Sequence, residues 1–300
     1  PAKLLFEIVK ALGDTTIYFT TEENSKLKIR TDNGVYEVGF TSADDYPVVP
    51  TINKDKFVTL NGKIIKKGIE QTKFAISKDA VRPAMIGTLL EFHPEGINFV
   101  ATDGHRLVKY SQLFENLPIN EQYILPLKAG EVLPKLLYET DVKIFLSDSN
   151  LTFQIGEIEF ITRLIAQRYP DYKVVIMVEN EKLLKIKLPE FQAAVRRITL
   201  FSSINYRQIK LIVTKDKIEI SSEDIDHGAS GKEVIPCDFT EEEMILGFNT
   251  DFLNDIISNL SCEEIVIKIS SPTKAVLIEP VKQNENEDIL MLLMPVRINS

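Results

Sequence analysis

Apolar residues recur along the chain in two alternating rhythms. Leu4, Leu5, Ile8 and Leu12 fall at helical spacing, which predicts an amphipathic helix over Pro1–Leu12. Pro1 is compatible with a first helical turn. Short runs of β-branched and aromatic residues follow at 16–20, 26–30 and 35–40 and predict three strands. Turn residues such as Asp32-Asn33-Gly34 separate them, and a proline-marked connector, Asp45-Tyr46-Pro47-Val48-Val49-Pro50, closes the unit.

The same succession returns twice. A helical run at 126–138 precedes strands near 142–147, 151–155 and 159–165 and closes on Gln167-Arg168-Tyr169-Pro170-Asp171-Tyr172. Pro134 inside that run predicts a kinked or shortened helix. A third copy opens at Phe248–Leu260, with strands at 264–270, 275–281 and 289–297. Tyr46-Pro47 and Tyr169-Pro170 stand about 125 residues apart, a period of domains rather than of a solenoid. The intervening stretches also match one another. A strand at 57–60, a helix at 61–77 and strands at 87–92, 97–101 and 107–110 are echoed by a strand at 184–188, a helix at 189–200 and strands at 208–214, 217–221 and 231–235. Three closing halves against two opening halves imply a further opening half ahead of Pro1. The expected divisions are 1–50, 51–177 and 178–300.

Between two of the strands lies Ala101-Thr102-Asp103-Gly104-His105-Arg106-Leu107. Asp-Gly is a strong hairpin signal because glycine accepts positive φ, so this turn presents an acid, an imidazole and a guanidinium together. Asp103 and His105 are candidate groups for an acid–base reading. Such chemistry needs a nucleophile or second base, and no strained-elbow Ser motif or phosphate-cradling glycine loop occurs. A turn network with Asp103 bonding backbone amides and Arg106 needs fewer assumptions.

Bulk composition narrows the class. Apolar residues make up 44% and charged residues 26% of the 300, as in a folded chain, and no apolar run has membrane-spanning length. With three histidines and two cysteines, Cys237 and Cys262, lacking metal-ligand spacing, no metal site is expected. The net charge of −9 opposes indiscriminate adhesion to nucleic acid, yet the cations are segregated. In the helix at 61–77, Lys63, Lys66, Lys67 and Lys73 gather opposite Ile64, Ile65, Ile69, Ala75 and Ile76. Arg196 and Arg197, with Gln192, oppose Phe191, Val195 and Ile198 in the later helix, while Lys3, Lys10, Lys128 and Lys135 decorate the closing helices. Acids cluster elsewhere, at Asp44-Asp45, Glu241–Glu243 and Glu285–Asp288. Helices gathered around a centre would line a positive channel that contacts phosphates without reading bases.

Thr102-Asp103-Gly104-His105-Arg106-Leu107 resembles the signature hairpin of the bacterial DNA polymerase III beta-subunit (sliding clamp) family. Arg168-Tyr169-Pro170-Asp171-Tyr172 is similar to its second connector, and Leu292-Leu293-Met294-Pro295-Val296-Arg297-Ile298 to its C-terminal tail. The resemblance covers the whole chain and implies an α+β fold of repeated clamp domains, each of two helix-plus-antiparallel-sheet halves. It implies that the chain, when complete, forms a head-to-tail homodimer ring around duplex DNA, helices inside, that slides without sequence specificity and raises polymerase processivity. It implies no catalytic residue, cofactor, metal or membrane partner, and a cytoplasmic, nucleoid-associated protein. Partners, namely the polymerase catalytic subunit, the clamp loader and other replication and repair proteins, insert a hydrophobic motif into one cleft. By motif its lining comprises Arg82, Met85, Thr102, Gly104, His105, Arg106, Leu107, Pro170, Val174, Val175, Leu292, Leu293, Met294, Pro295, Val296 and Arg297. The family often has a basic residue where this chain has Val174, and here Asn299-Ser300 extends the tail. The subunit interface is implied at Tyr36, Leu200 and Phe201. An interaction scaffold without a DNA role is the alternative.

Overall fold

The computed structural model describes residues 1–22, 25–46, 48, 50, 54–115, 117–176 and 179–298. Pro47 and Val49 of the first connector, the expected division points at Thr51 and Met177-Val178, and the Asn299-Ser300 extension lie outside the described residues. The chain forms two compact units, Pro1–Thr51 and Ile52–Ser300.

In the first unit, helix α1 (Ala2–Leu12) precedes an antiparallel sheet of β1 (Tyr18–Glu22), β2 (Lys26–Arg30) and β3 (Val35–Gly39) in that order. Ile29, opposite Phe19 and Tyr36, is the buried centre, with Val38. The Asp32-Asn33-Gly34 turn closes through Thr31 N to the Gly34 carbonyl at 2.9 Å. The first strand begins two residues later than its apolar run suggested.

The second unit runs β4 (Phe57–Asn61), α2 (Gly62–Thr72), β5 (Gly87–His93), β6 (Gly96–Thr102), β7 (Arg106–Leu113), β8 (Glu121–Pro126), α3 (Leu127–Val132), β9 (Asp141–Leu146), β10 (Asn150–Ile155) and β11 (Ile158–Arg163). After a single-turn helix α4 (Lys173–Ile176) come β12 (Lys182–Lys187), α5 (Leu188–Thr199), β13 (Gln208–Val213), β14 (Lys217–Asp224), β15 (Ala229–Pro236), β16 (Met244–Asn249), α6 (Thr250–Ser258), β17 (Glu264–Ile269), β18 (Val276–Pro280) and β19 (Glu287–Leu293). Two four-stranded sheets, β11-β10-β9-β4 and β15-β14-β13-β16, flank an eight-stranded sheet, β12-β17-β18-β19-β7-β6-β5-β8. Neighbouring strands within these sheets pair antiparallel. Pairing of β7 with β19 joins the two repeats into one sheet.

Alternation on these strands divides the apolar residues between two faces. One face packs against α2 and α3 through Leu90, Phe92, Phe99 and Tyr110, and against α5 and α6 through Ile265, Ile267, Met291 and Leu293. The opposite face carries a smaller cluster, Leu89, Val100, Leu107, Leu277 and Leu292, covered by Tyr169 and Tyr172 of the connector.

Differences from the sequence reading have local causes. The helix at 61–77 ends at Thr72, whose hydroxyl donates to the Gly68 carbonyl at 2.8 Å, and continues as one 3-10 turn. Pro134 does shorten its helix: α3 ends at Val132 and a 3-10 turn follows. β8 and β16 went unpredicted because a short apolar run such as Tyr123–Leu125 or Met244–Leu246 cannot be told from a buried helical segment by periodicity alone. Phe248, read as the start of that helix, is a buried strand residue, and Asn249 caps α6 by accepting from Asp251 N and Phe252 N. The last strand ends at Leu293 rather than Arg297, since Pro295 has no N–H for a ladder.

Gly68 lets α2 lie close against β6, because a Cβ there would run into the Phe99 ring. Gly68→Ala is expected to destabilise the protein by about 1–3 kcal/mol despite its better helix propensity, read as a lowered midpoint in urea unfolding.

Candidate functional site

The loop joining β6 and β7 is a closed hydrogen-bonded turn. Thr102 Oγ1 donates to the Arg106 carbonyl at 2.7 Å and accepts from Gly104 N at 3.1 Å. Asp103 Oδ1 accepts from His105 N at 2.9 Å and Arg106 N at 3.0 Å. Gly104 has φ 91°, and a Cβ there would stand 2.6 Å from Arg82 Nη1, so the Arg82 guanidinium lies over the bare turn.

Arg106 departs from its expected role. Its side chain is 9% exposed and points away from solvent. Nε donates to Asp103 Oδ2 at 3.0 Å, Nη1 to Asp255 Oδ2 at 2.5 Å and Nη2 to the Phe74 carbonyl at 2.9 Å. The guanidinium also stacks between the Phe74 and Phe252 rings, 5.4 and 4.7 Å from their centroids. A planar fork with several donors can satisfy all these partners, which a lysine could not. The result is a staple between the first repeat and α6 of the next. His105 is exposed and stacks on Phe252 with centroids 5.7 Å apart. With Asp103 committed to the turn and to Arg106, the two residues form no acid–base pair.

The tail meets this turn edge to edge. Leu292 lies opposite Leu107, and Met294 N donates to the His105 carbonyl at 2.8 Å. Leu107 and Leu292 share the connector-covered face, whereas Leu293 is fully buried on the helix-covered face and cannot line the same surface. Met294 is 40% exposed, Pro295 and Val296 are half-buried, and Arg297 is exposed. Met85 is half-buried in a 3-10 turn, its carbonyl accepting from Ser77 N.

The connector is anchored by one buried carboxylate. Glu91, on β5, accepts from Asn98 Nδ2 at 2.8 Å, Gln122 Nε2 at 2.7 Å, Tyr172 OH at 2.5 Å and Lys173 Nζ at 2.8 Å. Burial pushes its pKa up, but the bonds from Lys173, Tyr172 and Asn98 and the lysine charge outweigh this and hold it at about 2. Tyr169, also buried, donates to the Val100 carbonyl at 3.5 Å. These anchors fix the segment that carries exposed Pro170, Val174 and Val175. Turn, tail and connector therefore meet around Leu107 and Leu292, an apolar floor with partly exposed apolar and polar walls.

The basic faces are only partly free. Lys63 pairs with Glu139 at 2.8 Å, Lys67 with Glu287 at 2.5 Å and Arg197 with Glu233 at 2.7 Å. The last two are thus tied to neighbouring strands rather than left open. Lys66, Lys73, Lys128, Lys135 and Arg196 form no ion pair among the described residues, nor do Lys3 and Lys10 of the first unit. Gln192 donates to the Ile257 carbonyl, linking α5 to α6. The acids of α6 are both neutralised, Asp251 by Arg207 and Asp255 by Arg106. Tyr36, Leu200 and Phe201 are 40%, 81% and 37% exposed, and the Phe201 ring covers Gly231. Both cysteines are unpaired, with burial raising the Cys237 thiol to about 11. Among the described residues no cluster suits a metal and no helix is long and apolar enough to cross a membrane.

Glu91, Phe74, Phe252 and Asp255 were missed by sequence reasoning. The helix start at Asn249 places Phe252 and Asp255 on one face, but nothing local pairs that face with a turn nearly half the chain away.

Residues 59–171 match the family model described as DNA polymerase III beta subunit, central domain, and residues 173–297 that described as DNA polymerase III beta subunit, C-terminal domain. The beta sliding clamp of Staphylococcus aureus is 26% identical over 300 residues, covering 99% of this chain and 79% of that protein. Among solved structures, a Pseudomonas aeruginosa DNA polymerase sliding clamp with ligand is similar at TM-score 0.89 and 25% identity, over 99% of this chain and 81% of that one. A Bartonella birtlesii sliding clamp bound to griselimycin is similar at TM-score 0.89 and 28% identity, over the same shares.

Arg106→Ala would strand Asp103 and Asp255, and is expected to cost roughly 3 kcal/mol in urea unfolding, moderated because Asp255 is half exposed. Since Glu91 titrates at about 2 when folded against 4.5 ordinarily, its stabilisation is complete above about pH 4.5 and is lost as pH falls towards 2. Hydrogen exchange at 169–176 during acid titration should therefore rise steeply over that window in the natural protein. In Glu91→Gln it should start high at neutral pH and lack the step.

Proposed function

The chain belongs to the DNA polymerase III beta-subunit family, the bacterial sliding clamps, and on that premise we propose what each of its parts does. The protein is a non-catalytic processivity clamp of replication. Head-to-tail protomers close a ring around duplex DNA, and the ring tethers the polymerase and other clamp-binding proteins. Topology rather than tight contact holds it on its track, so sliding is not opposed by sequence-specific bonds. Exposed Lys73, Lys128, Lys135 and Arg196 and half-buried Lys66, with exposed Lys3 and Lys10, supply weak phosphate contacts within an acidic protein. Pairing of both α6 aspartates with arginines supports this, because it removes negative charge from a helix beside the path of the duplex. Tyr36, Leu200 and Phe201 are the proposed subunit contacts, and 1–50, 51–177 and 178–300 the proposed clamp segments. The protein works in the cytoplasm, at the nucleoid where its DNA lies.

Partner motifs dock between the turn, the connector and the tail. The observation that carries this reading is the meeting of Leu107 and Leu292 at the seam, beside exposed Val174, Val175 and Met294. An apolar floor with flexible and aliphatic walls suits several hydrophobic peptides rather than one. Val174 makes that wall more apolar than a basic residue would. Arg106 serves the site by holding the turn, not by touching the peptide.

Loaded onto nicked circular DNA, the protein should stay bound and be lost when the circle is cut. Equal loss from circles and linear pieces would leave only a scaffold role. Val174→Asp, at a surface position, should reduce stimulation of the polymerase while leaving retention on circles unchanged. Parallel loss of both would contradict the separation of cleft from channel.

A further inference from the structure

The C-terminal tail does not merely end beside the turn; it is fastened to a different sheet. Beyond Met294 the Pro295 ring stops the ladder, and the chain crosses to the open edge of β16. There Val296 N donates to the Gly247 carbonyl at 2.8 Å, and Gln208 Nε2, from neighbouring β13, donates to the Arg297 carbonyl at 2.8 Å. The crossing is possible only because residue 247 has no side chain. Ile298 Cγ1 and, at 2.8 Å, the Val296 carbonyl occupy the space where its Cβ would lie. Gly247 does not need positive φ, so the demand is for close approach alone. Two residues earlier on the same strand, Ile245 is 43% exposed, which confines the covering to the point where the tail passes.

We propose that Gly247 and Gln208 form a latch that holds Met294–Arg297 in place as a wall of the docking cleft, so that strand β16 sets affinity for partner peptides it never touches. The proposal rests on the clamp reading of that cleft. Gly247 is thus a positioning residue. Adding one methyl group there displaces the Val296 carbonyl, a backbone atom that cannot swing aside as a side-chain tip can, and frees the wall.

The test uses the full chain and griselimycin, the ligand of the Bartonella birtlesii clamp. Gly247→Ala should weaken griselimycin binding at least about tenfold and speed amide exchange at Val296, while exchange at Leu246 and Phe248 stays unchanged. Gln208→Ala should do the same more mildly. Removing residues 296–300 should weaken binding as Gly247→Ala does, and in that shortened chain Gly247→Ala should have no further effect. Additive losses, or unchanged exchange at Val296, would overturn the latch. If the natural protein fails to bind griselimycin, the cleft reading is at fault, and exchange at Val296 alone then decides whether the latch exists.

Discussion

Pairing of β7 with β19, from Arg106 opposite Leu293 to Gln112 opposite Glu287, is the constraint on which the rest of the second unit depends. It turns two four-stranded halves, separated by more than 170 residues of chain at Gln112 and Glu287, into one sheet with two usable faces. Because side chains alternate across a strand, the register sends Met291 and Leu293 to the helices and Leu292 to the connector. A slip of one residue would put Leu292 into the helical core and remove the floor of the proposed cleft.

Charge pairs hold this seam near both ends. Arg106 joins the turn to Asp255 of α6 at one end, and Lys67 of α2 holds Glu287 at the other, where Tyr110 also bears on the acid. On the opposite face Lys109 approaches Asp288 at 3.7 Å. Such pairs add less net stability than their Coulomb attraction alone would give, since each charge is drawn out of water. Their value here is geometric. They allow few other arrangements of turn and helix, and the proposed docking surface, assembled from three distant segments, would need its walls in fixed positions before a partner arrives.

Much of this was legible in the sequence and some was not, for physical reasons. Repetition of helix and strand rhythms made the α+β repeats readable, and Asp103-Gly104 announced its turn because few residues accept that backbone geometry. Strands β8 and β16 were hidden because their short apolar runs, Tyr123–Leu125 and Met244–Leu246, carry no period that separates strand from helix. The bond of Arg106 to Asp103 was read from the turn, but the guanidinium's further partners, which bury it, were not. Those partners, Asp255, Phe74 and Phe252, lie far off in sequence, and their pairing is a property of the seam. Leu293 was grouped with Leu292 for a similar reason: adjacent residues share a motif, but in a strand they never share a face. Lys67 and Arg197 lay on basic helical faces, yet strand acids that no helical wheel displays had already claimed them.

The central claim is that a docking cleft spans the seam and is built for holding rather than reacting. Methyl NMR of the full chain, labelled at Leu, Val and Met and titrated with griselimycin, addresses it most directly. The account predicts that the perturbed methyls are those of Leu107, Val174, Val175, Leu292, Met294 and Val296, with Leu293 little affected. Perturbation centred instead on Leu260 and Val281, which border a separate hollow beside Cys262, or no perturbation at all, would contradict it.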